Sequence, residues 1–156
     1  MSIPKRDSIV KEVKRRLIAG LGDIPLIEGN GGIWGKWDRK IPCLHFYEMP
    51  TQKNKVKPGI YQVEWPIQIE YVSRLSRVDL VYTEGRAKLQ ALLKAVELDE
   101  RLTENFSLPN QGKDLVDSYS CVADEIMSPM PNIVDVGVVY LFKYVDIFNG
   151  YEQFRH

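Results

Sequence analysis

Residues 61–71 alternate more strictly than any other part of the chain. Tyr61, Val63, Trp65, Ile67, Ile69 and Tyr71 are apolar, and Gln62, Glu64, Pro66, Gln68 and Glu70 fall between them. A period of two belongs to a strand with one buried face and one wetter face. An all-helical fold is therefore excluded. Pro66 has no amide proton to give a ladder, so an edge or a bulge is expected near it. An edge with aromatic neighbours is a natural place for a second subunit to dock.

The flanking segments supply more strands and two helices. Ile9, Val10, Val13, Leu17, Ile18 and Leu21 fall on one face of a helix that Asp7 or Ser8 can cap. Gly20 and Gly22 are candidate stop signals. Lys14-Arg15-Arg16 lies on the opposite face, and such a charge run is ordinarily just the solvated side of its helix. Short and long strands are expected over residues 24–28 and 40–49. Residues 50–59, with Lys53, Lys55 and Lys57 between two prolines, read as a long basic hairpin tip. Leu89, Leu92, Leu93 and Val96 predict a second helix over residues 82–102, started by Asp79 or Thr83. Glu97, Asp99 and Glu100 make its end acidic, where the helix dipole prefers cations. A basic partner at that end would relieve the mismatch. Strands are then expected over residues 115–126 and 134–148, joined by a turn at 128–132. The last strand is apolar on both faces, so it is either central in its sheet or covered by helix on one side and by a partner on the other.

Chemistry-bearing motifs are sparse. The segment Gly29-Asn30-Gly31-Gly32-Ile33-Trp34-Gly35-Lys36-Trp37 has the glycines of a phosphate loop. It lacks Gly-Lys-Ser/Thr and does not lead into a helical pattern. Trp34 and Trp37 are either contact residues in an exposed loop or rings folded over the core edge. His45 has only Cys43 nearby, two residues back on the same strand face, which does not complete a zinc site. A Cys43–His45 nucleophile–base pair is conceivable and unsupported. The carboxylates are scattered. No cofactor, no metal and no catalytic residue is expected, and the chain reads as a non-enzyme.

Composition narrows the class further. Twenty-one Lys and Arg balance 21 Asp and Glu in 156 residues. A general electrostatic nucleic-acid binder is basic, and this chain is not. Hydrophobic residues make up 44%, enough for a core, so whole-chain disorder is excluded. The length fits a single domain over residues 1–156. Two distant cysteines, Cys43 and Cys121, suit a reducing compartment and burial on strands. The opening residues lack the apolar run of a signal peptide, and no stretch has the length of a membrane span. Cytoplasmic residence is expected. The resulting architecture is α+β: a mainly antiparallel sheet with two principal helices packed on one face. The other face then carries Tyr, Val and Cys side chains that call for an interface.

This layout resembles the tail terminator (tail completion) proteins of long-tailed bacteriophages. The resemblance is carried by Arg6-Asp7-Ser8-Ile9-Val10-Lys11-Glu12-Val13-Lys14-Arg15-Arg16-Leu17, by Trp65-Pro66-Ile67-Gln68-Ile69-Glu70-Tyr71-Val72, by Leu92-Leu93-Lys94-Ala95-Val96-Glu97-Leu98-Asp99 and by Val138-Val139-Tyr140-Leu141-Phe142-Lys143-Tyr144. It spans nearly the whole chain in layout rather than in one signature motif. It implies a structural protein of the virion tail, assembled in the host cytoplasm. Such proteins form a ring, typically a homohexamer, that caps the tail tube, ends its polymerisation and offers a joining surface to the head or neck. DNA passes through the lumen without specific binding. Candidate interface residues, read from the residues themselves, are Trp34, Trp37, Lys53, Lys55, Lys57, Pro66, Asp99 and Glu100; the glycine–tryptophan segment and the basic hairpin match no pattern of that family. Two alternatives stand beside it: another neck or tail-tube protein, and a small nucleic-acid module using Lys14-Arg15-Arg16, the basic hairpin and stacking by Trp34 and Trp37.

Overall fold

The alternating run becomes part of a 15-residue strand at the centre of the molecule. The computed structural model describes residues 5–28, 41–98, 102 and 115–147. In chain order the elements are α1 (Lys5–Leu21), β1 (Leu26–Glu28), β2 (Cys43–Glu48), β3 (Gln52–Lys57), β4 (Ile60–Arg74), a 3-10 turn (Val78–Leu80), α2 (Val81–Val96), β5 (Ser118–Met130) and β6 (Ile133–Ile147). The six strands form one sheet in the order β1-β2-β4-β6-β5, with β3 also paired to β4. Among the described strands only β1, which runs alongside β2, is parallel to its neighbour. The fold is α+β, as the residue pattern implies.

Both helices lie on one face of this sheet. Ile9, Val13 and Leu17 of α1 and Leu92, Ala95 and Val96 of α2 pack with Leu44, Phe46, Val63, Trp65, Ile67, Ile69, Val138, Tyr140, Phe142 and Tyr144. The register explains the grouping. Trp65 stands opposite Phe142, Ile67 opposite Tyr140 and Ile69 opposite both Phe46 and Val138, so the odd positions of β4 and the even positions of β6 share one surface. Trp65 meets Phe142 and Tyr144 with ring centroids 6.5 Å away in each case. Each large apolar side chain fully buried here contributes roughly 1.5–3 kcal/mol.

Polar contacts fix the helices on the sheet. Arg16, 3% exposed, reaches the Glu12 carboxylate at 2.8 Å, the Val96 carbonyl at 2.8 Å and the Tyr119 hydroxyl at 2.9 Å. It thus joins α1 to the end of α2 and to β5. At the start of α1, Arg6 donates to the Tyr144 hydroxyl at 2.9 Å and to Thr51 Oγ1 at 3.3 Å. Glycine lets the helices approach: a Cβ on Gly20 would lie 2.6 Å from Ala95 Cβ and 3.0 Å from its Cα. Gly22, at φ +90°, ends α1 as expected, its amide donating to the Ile18 carbonyl at 2.9 Å.

Four expectations need correction. Residues 50–59 are not a long tip: residues 52–57 are strand β3, all six exposed, and Pro58-Gly59 alone turns the chain into β4. Gly59 takes φ +80°, as the second central residue of a type II turn does after a proline. The second helix stops at Val96, where the acidic run opposes the helix dipole and Glu97 turns away to accept from the Tyr140 hydroxyl at 2.8 Å. The turn after β5 is Pro131-Asn132, because an edge strand can run on through Pro129. Finally, β4 is no edge strand at Pro66. It lies between β6 on one side and β2 and β3 on the other. Pro66 sits where β2 hands over to β3, and the Met49 amide donates to its carbonyl at 3.0 Å. The imide nitrogen faces that same seam, so no ladder bond is missing.

Candidate interface site

The face of the sheet turned away from the helices is built from the even positions of β4 and the odd positions of β6 and β2. Pro66 stands opposite Leu141, Gln68 opposite Val139 and Gln62 opposite Val145. Pro66, Val139, Leu141 and Val145 are half-buried. At one end of this face Cys43, Val72 and Ile133 form a second small cluster, with Ile27 and Ile41 packed against it. The strands are therefore two-sided in character, as the apolar pattern of residues 134–148 indicates.

Acidic residues gather beside that cluster. Glu70 of β4 stands opposite Gly137 of β6, and Glu125 of β5 stands opposite Gly137 from the other side. Asp135 lies two residues along β6 on the same face. Gly137 leaves a dip between them: a Cβ there would lie 3.6 Å from Glu70 Cγ and 3.9 Å from Glu70 Oε1. Asp135 is 1% exposed, and its Oδ1 has no hydrogen-bond partner. Burial, then the nearby Glu70 and Glu125 charges, push its carboxyl up to about 7. Burial also raises Glu70, against the Gln68 amide that donates to it at 2.8 Å, with Glu125 adding to the rise. Among the described residues no lysine or arginine lies in ion-pair range of these three carboxylates.

The opposite charge lies at the other end of the sheet. Lys53, Lys55 and Lys57 project from β3, where each is exposed. Lys53 stands opposite Val63 and Lys55 opposite Tyr61, while a bulge brings Lys57 opposite Ile60. Val56 between the last two lysines is 58% exposed. Lys5 of α1 is exposed at the same end and donates to the Val145 carbonyl at 3.3 Å.

The sequence-expected interface residues are thus divided. Lys53, Lys55 and Lys57 share one exposed strand, and Pro66 presents its ring on the helix-free face. Trp34, Trp37, Asp99 and Glu100 lie outside the described residues. Lys14 and Arg15 do not form a free patch: Lys14 pairs with Glu28, and Arg15 holds Glu12 at 2.9 Å. Cys43 is buried on β2, and Cys121 is half-buried on β5, where burial pushes its thiol up. Cys43 and His45 share the helix-free face at alternate positions. Among the described residues no group of three or more His, Cys, Asp or Glu is arranged to hold a metal, and no helix is long and apolar enough to cross a membrane. The Glu70–Glu125–Asp135 grouping escapes a reading of the sequence, because three strands and their register are needed to assemble it. One signal was present: Asp135 interrupts an otherwise apolar run from Ile133 to Val139.

No protein-family model matches the chain, and no curated protein matches it.

Proposed function

We propose that this chain is a structural subunit that assembles with copies of itself, and that it acts as a phage tail terminator. In this reading six copies close into a ring on the head-proximal end of the tail tube. The ring ends tube polymerisation and offers a surface to the head or neck, and DNA slides through its lumen. The observation that carries the proposal is a sheet that, among the described residues, is covered by helices on one face only. The other face sets half-buried Pro66, Val139 and Leu141 beside carboxylates, which suits a surface buried by another protein. Zero net charge agrees with a channel that does not grip phosphate.

Light scattering behind a sizing column, across protein concentration and salt, tests the oligomer. Six copies of an 18.0 kDa chain give about 108 kDa. A tube-growth assay with purified tail tube protein tests the capping role. A chain that stays at one-copy mass at every concentration and also leaves tube ends growing overturns the proposal. Sequence-tolerant, steeply salt-dependent binding of DNA would instead favour the nucleic-acid module.

A further inference from the structure

We infer that successive copies of this chain meet through β3 of one copy seated against the Glu70–Glu125–Asp135 end of the next, with Lys57 on the carboxylate side of β3 and Lys55 on its other face. The inference rests on the self-assembling reading above and specifies its contact.

Four observations support it. Asp135 is buried without a partner for Oδ1, directly beside Glu70 and Glu125. A buried carboxylate group of this kind is completed by a cation or donor brought close to it. Second, among the described residues the lysines of β3 lie at the wrong distance to supply that charge within one copy. From Ile60, opposite Lys57, to Glu70 is ten residues of β4, or roughly 34 Å at strand rise. That is several Debye lengths at physiological salt, so the two patches do not neutralise each other within one copy. Third, β3 and β5 are both outer strands, each paired on one side only among the described residues. Pairing β3 with β3 would set lysines against lysines, and pairing β5 with β5 would set Asp124 and Glu125 against their like. The remaining outer strand, β1, carries Glu28, which Lys14 already holds, so β3 against β5 is the pairing left that matches charge. Fourth, the apolar groups agree. Val56 projects between the two lysines, and half-buried Val139 lies two residues from Gly137 on the carboxylate face.

Donor and acceptor are different surfaces of the same chain. Repeated head-to-tail, the contact closes a ring when the rotation allows it. A two-fold dimer would use both surfaces reciprocally, so the mass in solution, two copies against a ring, separates the two arrangements.

The test is charge reversal in the full chain, read by light scattering and sedimentation. K55E/K57E and E125K are each expected to weaken self-association by about tenfold or more. Both sites are exposed, so the fold is retained, and circular dichroism checks this. Combining the three substitutions in one chain restores part of the association, because the two new glutamates meet the one new lysine. Zero-length carbodiimide coupling of mixed light and heavy wild-type copies is expected to join Lys55 or Lys57 of one isotope to Glu125 of the other. Association unchanged in every variant overturns this contact while leaving self-assembly standing. Loss with E125K but not with K55E/K57E assigns the carboxylates to another basic segment and overturns the role of β3. A wild-type chain that never exceeds one-copy mass overturns the contact, and the capping reading must then stand on the tube-growth assay alone.

Discussion

Replacing Asp135 by Asn tests whether the helix-free face stores an unrelieved charge. In the fold the Asp135 carboxyl titrates near 7, raised first by burial and then by Glu70 and Glu125, against an ordinary value of 3.8. Between these values the folded chain holds a proton that the unfolded chain has released. Stability therefore falls as pH rises through this window, by about 1.4 kcal/mol per pH unit. The full penalty, present above pH 7, is about 4 kcal/mol. Asparagine keeps the shape and cannot ionise. At pH 4 the variant should match the wild type within about 1 kcal/mol, since both are neutral at this position. At pH 8 it should be more stable by about 4 kcal/mol, a shift of roughly 2 M in the urea midpoint for a slope near 2 kcal/mol/M. Urea unfolding at pH 4, 6 and 8, at one dilute protein concentration, measures the gap. A gap that does not change with pH, or an asparagine variant less stable at pH 8, refutes the reasoning.

Three further perturbations probe the scaffold. Arg16→Met should lower stability by about 3 kcal/mol, because Glu12, 1% exposed, keeps only Arg15, whereas Glu12→Leu with Arg16→Met should recover most of that loss; thermal melts of the full mutant cycle decide, and simple additivity would count against a coupled pair. Gly85→Ala places a Cβ 2.6 Å from Ile126 Cγ2 and should destabilise by about 1–3 kcal/mol, yet in an Ile126→Ala background the same change should become neutral or stabilising as the gap accepts it; the sign reversal in urea midpoints is the readout. Pro66→Val should change stability by less than about 1 kcal/mol, whereas Ile67→Pro, aimed at the β6 ladder, should remove about 3 kcal/mol or more; equal losses from the two would refute the assigned direction of the Pro66 backbone.

The parts legible in the sequence were those written in local period. The alternation from Tyr61 to Tyr71 lies within β4, and the helical spacing from Ile9 to Leu21 lies within α1. The two-faced character of Val136 to Val145 places β6 between two strands. What stayed hidden depended on partners distant in sequence. Pro66 suggested an edge, and only the hand-over from β2 to β3 shows why a central strand tolerates it. Residues 52–57 lack apolar residues apart from Val56, so nothing local marks them as a strand; the ladder supplied by β4 does. Glu70 and Glu125 look like ordinary wet positions until the register brings them to either side of Gly137.

The seam at Pro66 also bears on how such a chain can diversify. One half of β4, Ile67–Val72, is held by β2, and the other half, Ile60–Glu64, holds β3 as an addition on its outer side. Because β3 is exposed along its length, its charges and even its extent can be rewritten without repacking Trp65, Phe142 or Tyr144. In the proposed contact, the surface that meets a neighbour is thereby separated from the residues that hold the molecule together. Lineages sharing this scaffold can drift apart in assembly specificity while keeping the same interior.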